Sequence, residues 1–325
     1  MASPLIQALR ERYPEAHIAW LAQPEVRDLL GENAQLDQVI VWPRDRWRRM
    51  WRKGERLRVV LEFTRFAREL RRRRFDMVID LQGLLKSGIW ARLAGAPARI
   101  GLGSKEGSAL LMTRVIPEPE SDKRIGSEYR RLAHELGLRE EPFEMHVALG
   151  EADRAFARRF QEEEGLTGGY AVLCPFTTRP QKHWFENYWS EVAVRLREEF
   201  GLASVILGGP GDQAESERLA EAAGAASLAG KTRLREAAAV IAAGRLLVGV
   251  DTGLTHMGIA FNVPTLAIFG STCPYRETGR DNTRVLYKGL ECSPCRRNPT
   301  CDGVFACLRD ITPDEVMANV AELLP

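Results

Sequence analysis

The chain has 325 residues, is 45% hydrophobic and carries a net charge of only +2, enough for two cores of ordinary size. No apolar run reaches the length of a membrane span and the start shows no basic-then-apolar signal pattern, so a cytoplasmic protein is expected, at most peripheral on a membrane surface. The near-neutral total hides an asymmetry: residues 44–74 hold 14 Arg and Lys against 4 Asp and Glu, in an otherwise net acidic chain. Such a block points to an anionic partner at one place.

In chain order, LIQALRERYP reads as an amphipathic helix, with Ser3 as N-cap and Pro4 at the first helical position. HIAWLA (strand), PEVRDLLGE (helix) and QVIVW (strand) follow. A doubly wound domain opens on a strand that feeds its first helix, so the first strand is expected to be missing. RDRWRRMWRK then sets Trp47 and Trp51 four apart on one helical face, among arginines. RVVLEFTRFARELRRRR predicts a helix whose apolar side is Leu61, Phe63, Phe66 and Leu70. Three readings of this basic segment stay open. It is a solvated helix face, a nucleic-acid surface without a recognisable module, or a surface for a phosphorylated lipid and membrane headgroups.

FDMVIDLQG predicts a strand ending at Asp80, followed by a helix that starts near Lys86. A lysine opposes the dipole there, which suggests an anion facing it, although a plain surface lysine remains the alternative. Residues 95–107 read as a long loop. A composition change near residue 160 sets the expected boundary between a domain over 1–160 and a second over 161–325. The second half alternates strand and helix, as in a parallel sheet covered on both faces. It closes on a helix capped by Thr312.

Four strand ends of the second half carry polar residues. They are Thr177, Thr178 and Lys182 after the first, Asp212 after the second, Thr232 after the third, and Asp251-Thr252-Gly253 with His256 after the fourth. In an open parallel sheet these gather at one edge, where ligands bind. A lysine, hydroxyls and helix-start N–H groups suit phosphates, and carboxylates suit ribose or sugar hydroxyls, which together suggest a nucleotide-diphosphate site. No phosphate-loop GxxxxGK[ST], GxGxxG or GxSxG pattern is present. The spacing of Cys292, Cys295, Cys301 and Cys307 admits a structural zinc site, disulfides or four free thiols.

DTGLTH followed by a helix and P-x-x-x-x-F-G-S-T, with TTRPQKHW and GGPGD upstream, resembles glycosyltransferase family 9, the ADP-heptose:lipopolysaccharide heptosyltransferases. DLQGLLKS and the RWRR-type segment are most similar to heptosyltransferase I. The resemblance implies an α/β chain of GT-B fold, two Rossmann-like domains facing across a cleft. It implies inverting, metal-independent transfer of heptose from ADP-heptose to a Kdo–lipid A type acceptor, with no cofactor required and no nucleic-acid partner. Thr177, Thr178 and Lys182 would contact the diphosphate, with Lys182 balancing its charge as it leaves. Asp212 would bind ribose and Thr232 would line the adenine side, while Asp251, Thr252, Gly253 and His256 would surround diphosphate and heptose. Lys182 and Asp251 are the expected catalytic residues, and Arg46, Arg48, Arg49 and Lys86 the expected acceptor-binding ones. In that family a Gly-Asp motif after the first strand supplies the general base. It is expected ahead of residue 1, and Asp80 is the nearest substitute. The alternatives are another GT-B nucleotide-sugar enzyme, epimerase-like, or an impaired nucleotide-sugar-binding protein.

Overall fold

In the computed structural model, which describes residues 1–118 and 122–324, the chain begins with α1 (Pro4–Arg12), β1 (Ala19–Ala22), α2 (Pro24–Gly31), β2 (Gln38–Val41), α3 (Arg44–Arg52) and α4 (Arg56–Arg72). It continues through β3 (Met77–Asp80), α5 (Leu85–Ala94), β4 (Ala98–Leu102), β5 (Arg114–Ile116) and α6 (Ser127–Glu135). Nearly all of this belongs to the first of two compact units, made of Met1–Arg27, Ala34–Asp122 and Gly126–Phe143.

Its strands form two parallel sheets, β1-β2 and β3-β4-β5, so β1 and β3 each keep one edge unpaired among the described residues. Both sheets nevertheless share one apolar layer: Ala19, Ile40 and Val78 pack with Trp47, Leu70 and Trp90. A second cluster joins Leu5 and Ala8 of α1 to Ile100, Ile116 and Leu132. Pro4 occupies the first turn of α1, but Ser3 does not cap it by its side chain, because its backbone is already helical (φ −58°, ψ −30°) rather than extended.

Three expectations in this unit need correction. Residues 95–107 are not one loop: ARIGL forms β4, because its apolar residues alternate toward the core and pair with β3. Gly83 ends the preceding turn at φ +60°, where a Cβ would meet Leu102 O at 2.1 Å, so only glycine fits there. Trp47 and Trp51 do not share an environment. Trp47 is in the core, with its indole N–H donating to Glu62 at 2.8 Å, whereas Trp51 is 52% exposed at the helix end. Finally, Leu61 leaves the apolar side of α4 and is 67% exposed.

The second unit is Asp28–Asn33, Lys123–Ile125 and Glu144–Pro325. It contains α7 (Glu151–Glu163), β6 (Tyr170–Cys174), α8 (Glu186–Phe200), β7 (Ala203–Ile206), α9 (Gln213–Ala223), β8 (Ala226–Ser227) and α10 (Leu234–Ala243). After these come β9 (Leu246–Val250), α11 (Gly253–Ala260), β10 (Thr265–Phe269), β11 (Thr283–Tyr287), α12 (Ala306–Arg309) and α13 (Pro313–Leu323). From Glu144 onward the chain stays in this unit, ahead of the composition change at residue 160. The reason is α7, whose Phe160 packs with Val240 and Ile241 of α10 and whose Asp153 accepts from Arg235 Nε at 3.1 Å.

All six strands are parallel, in the order β11-β10-β9-β6-β7-β8. The period of two sends Ala171 and Leu173 of β6 to one face, with Trp189, Val192 and Leu196 of α8. Tyr170, Val172 and Cys174 turn to the other face, with Val240 and Ile241. Both faces are covered, which is why these strands read as unbroken apolar runs. The sheet was built outward from β6 in one direction and then from β9 in the other. The strand order therefore reverses between β6 and β9, the point at which such sheets bind ligands beyond their carboxyl ends. The α/β class and the parallel sheets match the sequence expectation.

Candidate active site

The loops after β6 and β9 meet at that switch point. β6 and β9 run in register, Cys174 opposite Gly249, so the residues that follow them emerge side by side. Thr177 Oγ1 donates to the backbone carbonyl of Asp251 at 3.2 Å, tying the two loops together. A short turn, Pro180–Lys182, then returns the chain so that Lys182 Nζ reaches Asp251 Oδ2 at 2.6 Å. The same oxygen accepts from Thr272 Oγ1 at 2.5 Å, from the segment after β10. His256 Nε2 lies 3.6 Å from Asp251 Oδ1, ion-pair range rather than a hydrogen bond. Its Nδ1 is 2.8 Å from the hydroxyl of Tyr275.

Asp251 and Lys182 are both mostly withdrawn from solvent, their side chains 13% and 17% exposed. Burial alone would push the Asp251 carboxyl up. His256, the Lys182 ammonium and the Thr272 hydroxyl outweigh it and hold the carboxyl well below the usual carboxylate range. A carboxylate so stabilised is a weak base. Its chemistry here is to stay charged and fix the lysine. Burial, with the charge of Asp251 beside it, pushes the Tyr275 phenol upward, so that hydroxyl stays protonated.

Thr252 is the N-cap of α11, with extended backbone (φ −140°, ψ 159°) and no side-chain cap bond. The first N–H groups of α11, from Gly253 onward, therefore point out of the helix beside Lys182 and His256 without a capping side chain. This is the arrangement that suits an anion. Thr255 is not part of that surface, since it is buried and its hydroxyl donates to Val250 O at 2.6 Å.

The structure thus brings together Thr177, Lys182, Asp251, Thr252, Gly253 and His256. Thr178 is exposed just beyond Thr177. Asp212 and Thr232 stand on the loops after β7 and β8, with no hydrogen bond to the cluster. Asp212 Oδ2 accepts from Gly209 N at 2.8 Å and so shapes its own turn. Sequence reasoning missed Thr272 as an Asp251 partner and Tyr275 altogether. The signal was available for Thr272, a hydroxyl at the end of β10, but Tyr275 lies past the strand in a segment without pattern.

In the first unit, Arg46 pairs with Glu62 at 2.5 Å and Arg48 with Asp45 at 3.0 Å, both side chains more than half exposed. Arg49 is exposed and Lys86 half-buried in the first turn of α5. Asp80 is closed off. It is 5% exposed, with Oδ1 accepting from Gln82 N and Gly83 N and Oδ2 from Ser87 Oγ at 2.9 Å. It is a carboxylate that holds its own turn.

The zinc expectation also changes. Among the described residues no group of three or more His, Cys, Asp or Glu is arranged to hold a metal ion, and all four cysteines are free. Cys307 is buried against Gly270 and Cys292 is exposed, and burial together with the neighbouring Cys292, Cys295 and Cys301 pushes the Cys307 thiol up. Their loop instead braces the site: Arg296 N donates to Ser271 O at 2.7 Å and Ser293 Oγ to Gly270 O, next to Thr272.

Comparison with known proteins identifies the family. The model of "Glycosyltransferase family 9 (heptosyltransferase)" matches residues 63–303. Lipopolysaccharide heptosyltransferase 1 of Salmonella typhimurium is 28% identical over 284 residues, covering 83% of this chain and 84% of that protein. Lipopolysaccharide heptosyltransferase 2 of Escherichia coli K12 is 26% identical over 340 residues, covering 100% of this chain and 94% of that protein. The solved structure of E. coli heptosyltransferase WaaC with ADP superposes with a TM-score of 0.73 at 25% identity, covering 99% of this chain and 95% of that one. These enzymes share the GT-B fold, and the present chain belongs to glycosyltransferase family 9.

Proposed function

We propose that this chain transfers heptose from ADP-heptose to a phosphorylated lipopolysaccharide inner-core acceptor of the Kdo–lipid A type, with inversion at the anomeric carbon. One observation carries the reading: Lys182, fixed by Asp251, stands beside the uncapped start of α11 at the switch point of a parallel sheet. The α11 N–H groups and the Thr177 and Thr178 hydroxyls receive the diphosphate. Asp212 takes ribose hydroxyls, and Thr232 borders the adenine. As the acceptor hydroxyl gives up its proton to a general base and its oxygen bonds to the anomeric carbon, the bond from that carbon to the diphosphate breaks and negative charge grows on the departing ADP. Lys182 is already in place to meet it, which is the condition for electrostatic stabilisation of a leaving group. A fixed ammonium supplies the positive charge that a metal ion supplies elsewhere, so transfer is metal-independent. Asp251 and His256, the latter steadied by Tyr275, keep the lysine from swinging away and border the heptose. Arg46, Arg48, Arg49 and Lys86 bind acceptor phosphates.

A second reading, a nucleotide-sugar-binding protein with impaired transfer, is favoured by the engagement of Asp80 in its own turn. The two readings part in one assay, in which the protein is given ADP-heptose and Kdo–lipid A and both ADP release and lipid mass are followed. Heptosylated lipid supports transfer. Stabilisation by the donor without product supports binding alone.

A further inference from the structure

Helix α4 has two apolar faces, and only one of them is used by the fold. Val59, Phe63, Phe66 and Ala67 pack on Trp47 and Trp90. Leu57, Val60 and Leu61, at i, i+3 and i+4, form a second stripe on the opposite side, 82%, 52% and 67% exposed. Trp51, 52% exposed, adjoins it through Arg56, whose guanidinium sits 5.5 Å over the indole ring. Toward the C-terminus the same outer side becomes basic, with exposed Arg65, Arg68 and Arg72. Helix α4 and the end of α3 therefore present three aliphatic side chains and a tryptophan inside a field of arginines.

We propose that this outer face of α4, together with Trp51, docks the protein on an anionic lipid bilayer. The aliphatic residues and the indole enter the interface while the arginines meet the headgroups. An interfacial helix needs both halves, apolar area to bury and basic residues to hold the surface near an anionic leaflet. Nucleic-acid phosphates would engage the arginines but leave Leu57, Val60 and Leu61 in water. A second copy would press this same basic face against its equal and suffer like-charge repulsion. The inference builds on the reading of a lipid-borne acceptor, but its test contains no acceptor, so either can fail without the other.

The full chain is sedimented with vesicles of phosphatidylcholine alone and of phosphatidylcholine mixed with phosphatidylglycerol. Binding is expected only to the anionic vesicles, weakening with salt. The triple variant Leu57→Ser, Val60→Ser, Leu61→Ser is expected to bind them at least about tenfold more weakly, and Arg65→Gln with Arg68→Gln to flatten the salt dependence. Wild type is expected to show a blue-shifted tryptophan emission on binding that Trp51→Phe diminishes. Retained stabilisation by ADP shows that each variant is folded. Equal affinity for both vesicle types overturns the proposal, as does undiminished binding by the triple serine variant. So does an oligomer in lipid-free solution that the serine substitutions dissociate, which would make a second copy the occupant.

Discussion

Lys182 Nζ and Asp251 Oδ2 are 2.6 Å apart although 69 residues separate them in sequence, and they meet because β6 and β9 are neighbours in the sheet. Thr272 completes the contact from β10. Three loops of one sheet edge thus converge on a single carboxylate.

Removing the lysine has two consequences. Lys182→Ala is expected to lower kcat about 10²–10³-fold, the scale seen when one preorganised charge-stabilising group is lost, with a smaller change in donor KM. It also strands a mostly buried carboxylate, at a cost of about 3 kcal/mol. Lys182→Arg restores much of the stability and little of the rate if positioning matters. Steady-state kinetics and urea unfolding of the three proteins check both points.

Asp251 should also leave a mark on acid stability. Its folded pKa lies below the value of about 3.9 for the unfolded chain, so between the two the unfolded state binds the extra proton. Its contribution is therefore complete above about pH 4 and lost as pH falls through the folded pKa. Urea midpoints measured down through that range are expected to fall less steeply for Asp251→Asn than for wild type. Equal slopes would show that Asp251 is not held ionised.

Thr272→Val keeps the shape and removes the hydroxyl that donates to Asp251. The loss is expected to be about 1–3 kcal/mol, as for a hydrogen bond to a charged group, with a lower kcat from a less constrained Lys182. A variant with wild-type kcat and stability would assign Thr272 no part in fixing the carboxylate.

Gly270 separates the end of β10 from the cysteine-bearing tail. A Cβ there would meet Leu308 at 2.5 Å and Cys307 Sγ at 3.1 Å. Gly270→Ala is expected to cost about 1–3 kcal/mol as an overpacked contact and to weaken stabilisation by ADP, since Thr272 lies two residues on. Thermal melts with and without ADP separate the two effects.

The two units should differ in local stability. β1 and β3 each keep an unpaired edge, whereas β6 and β9 are paired on both sides. Backbone amides of β1 and β3 are expected to exchange with deuterium well before those of β6 and β9.

Much of the second unit's architecture was legible in the chain. Short apolar runs, followed by Pro175, Gly208, Asp251 and Gly270, read as buried parallel strands, and they gathered Thr177, Lys182 and Asp251 at one edge. The first half was harder. ARIGL is short, and its glycines and neighbouring proline look like loop chemistry until pairing with β3 is seen. Leu61 joined the apolar side of α4 because periodicity counts hydrophobic residues without knowing which face the core occupies. The same blindness hid the second stripe. Tyr275 and the tail that braces Gly270 act through contacts distant in sequence, with no local pattern to announce them.

The most direct measurement is a donor comparison on the full chain, pairing thermal stabilisation by ADP-, UDP- and GDP-sugars with transfer from ADP-heptose to Kdo–lipid A. Stabilisation by ADP-heptose above the others, lost in Lys182→Ala, with a lipid product heavier by one heptose, is the expected result. Stabilisation by UDP- or GDP-sugars alone, or donor binding indifferent to Lys182, contradicts it.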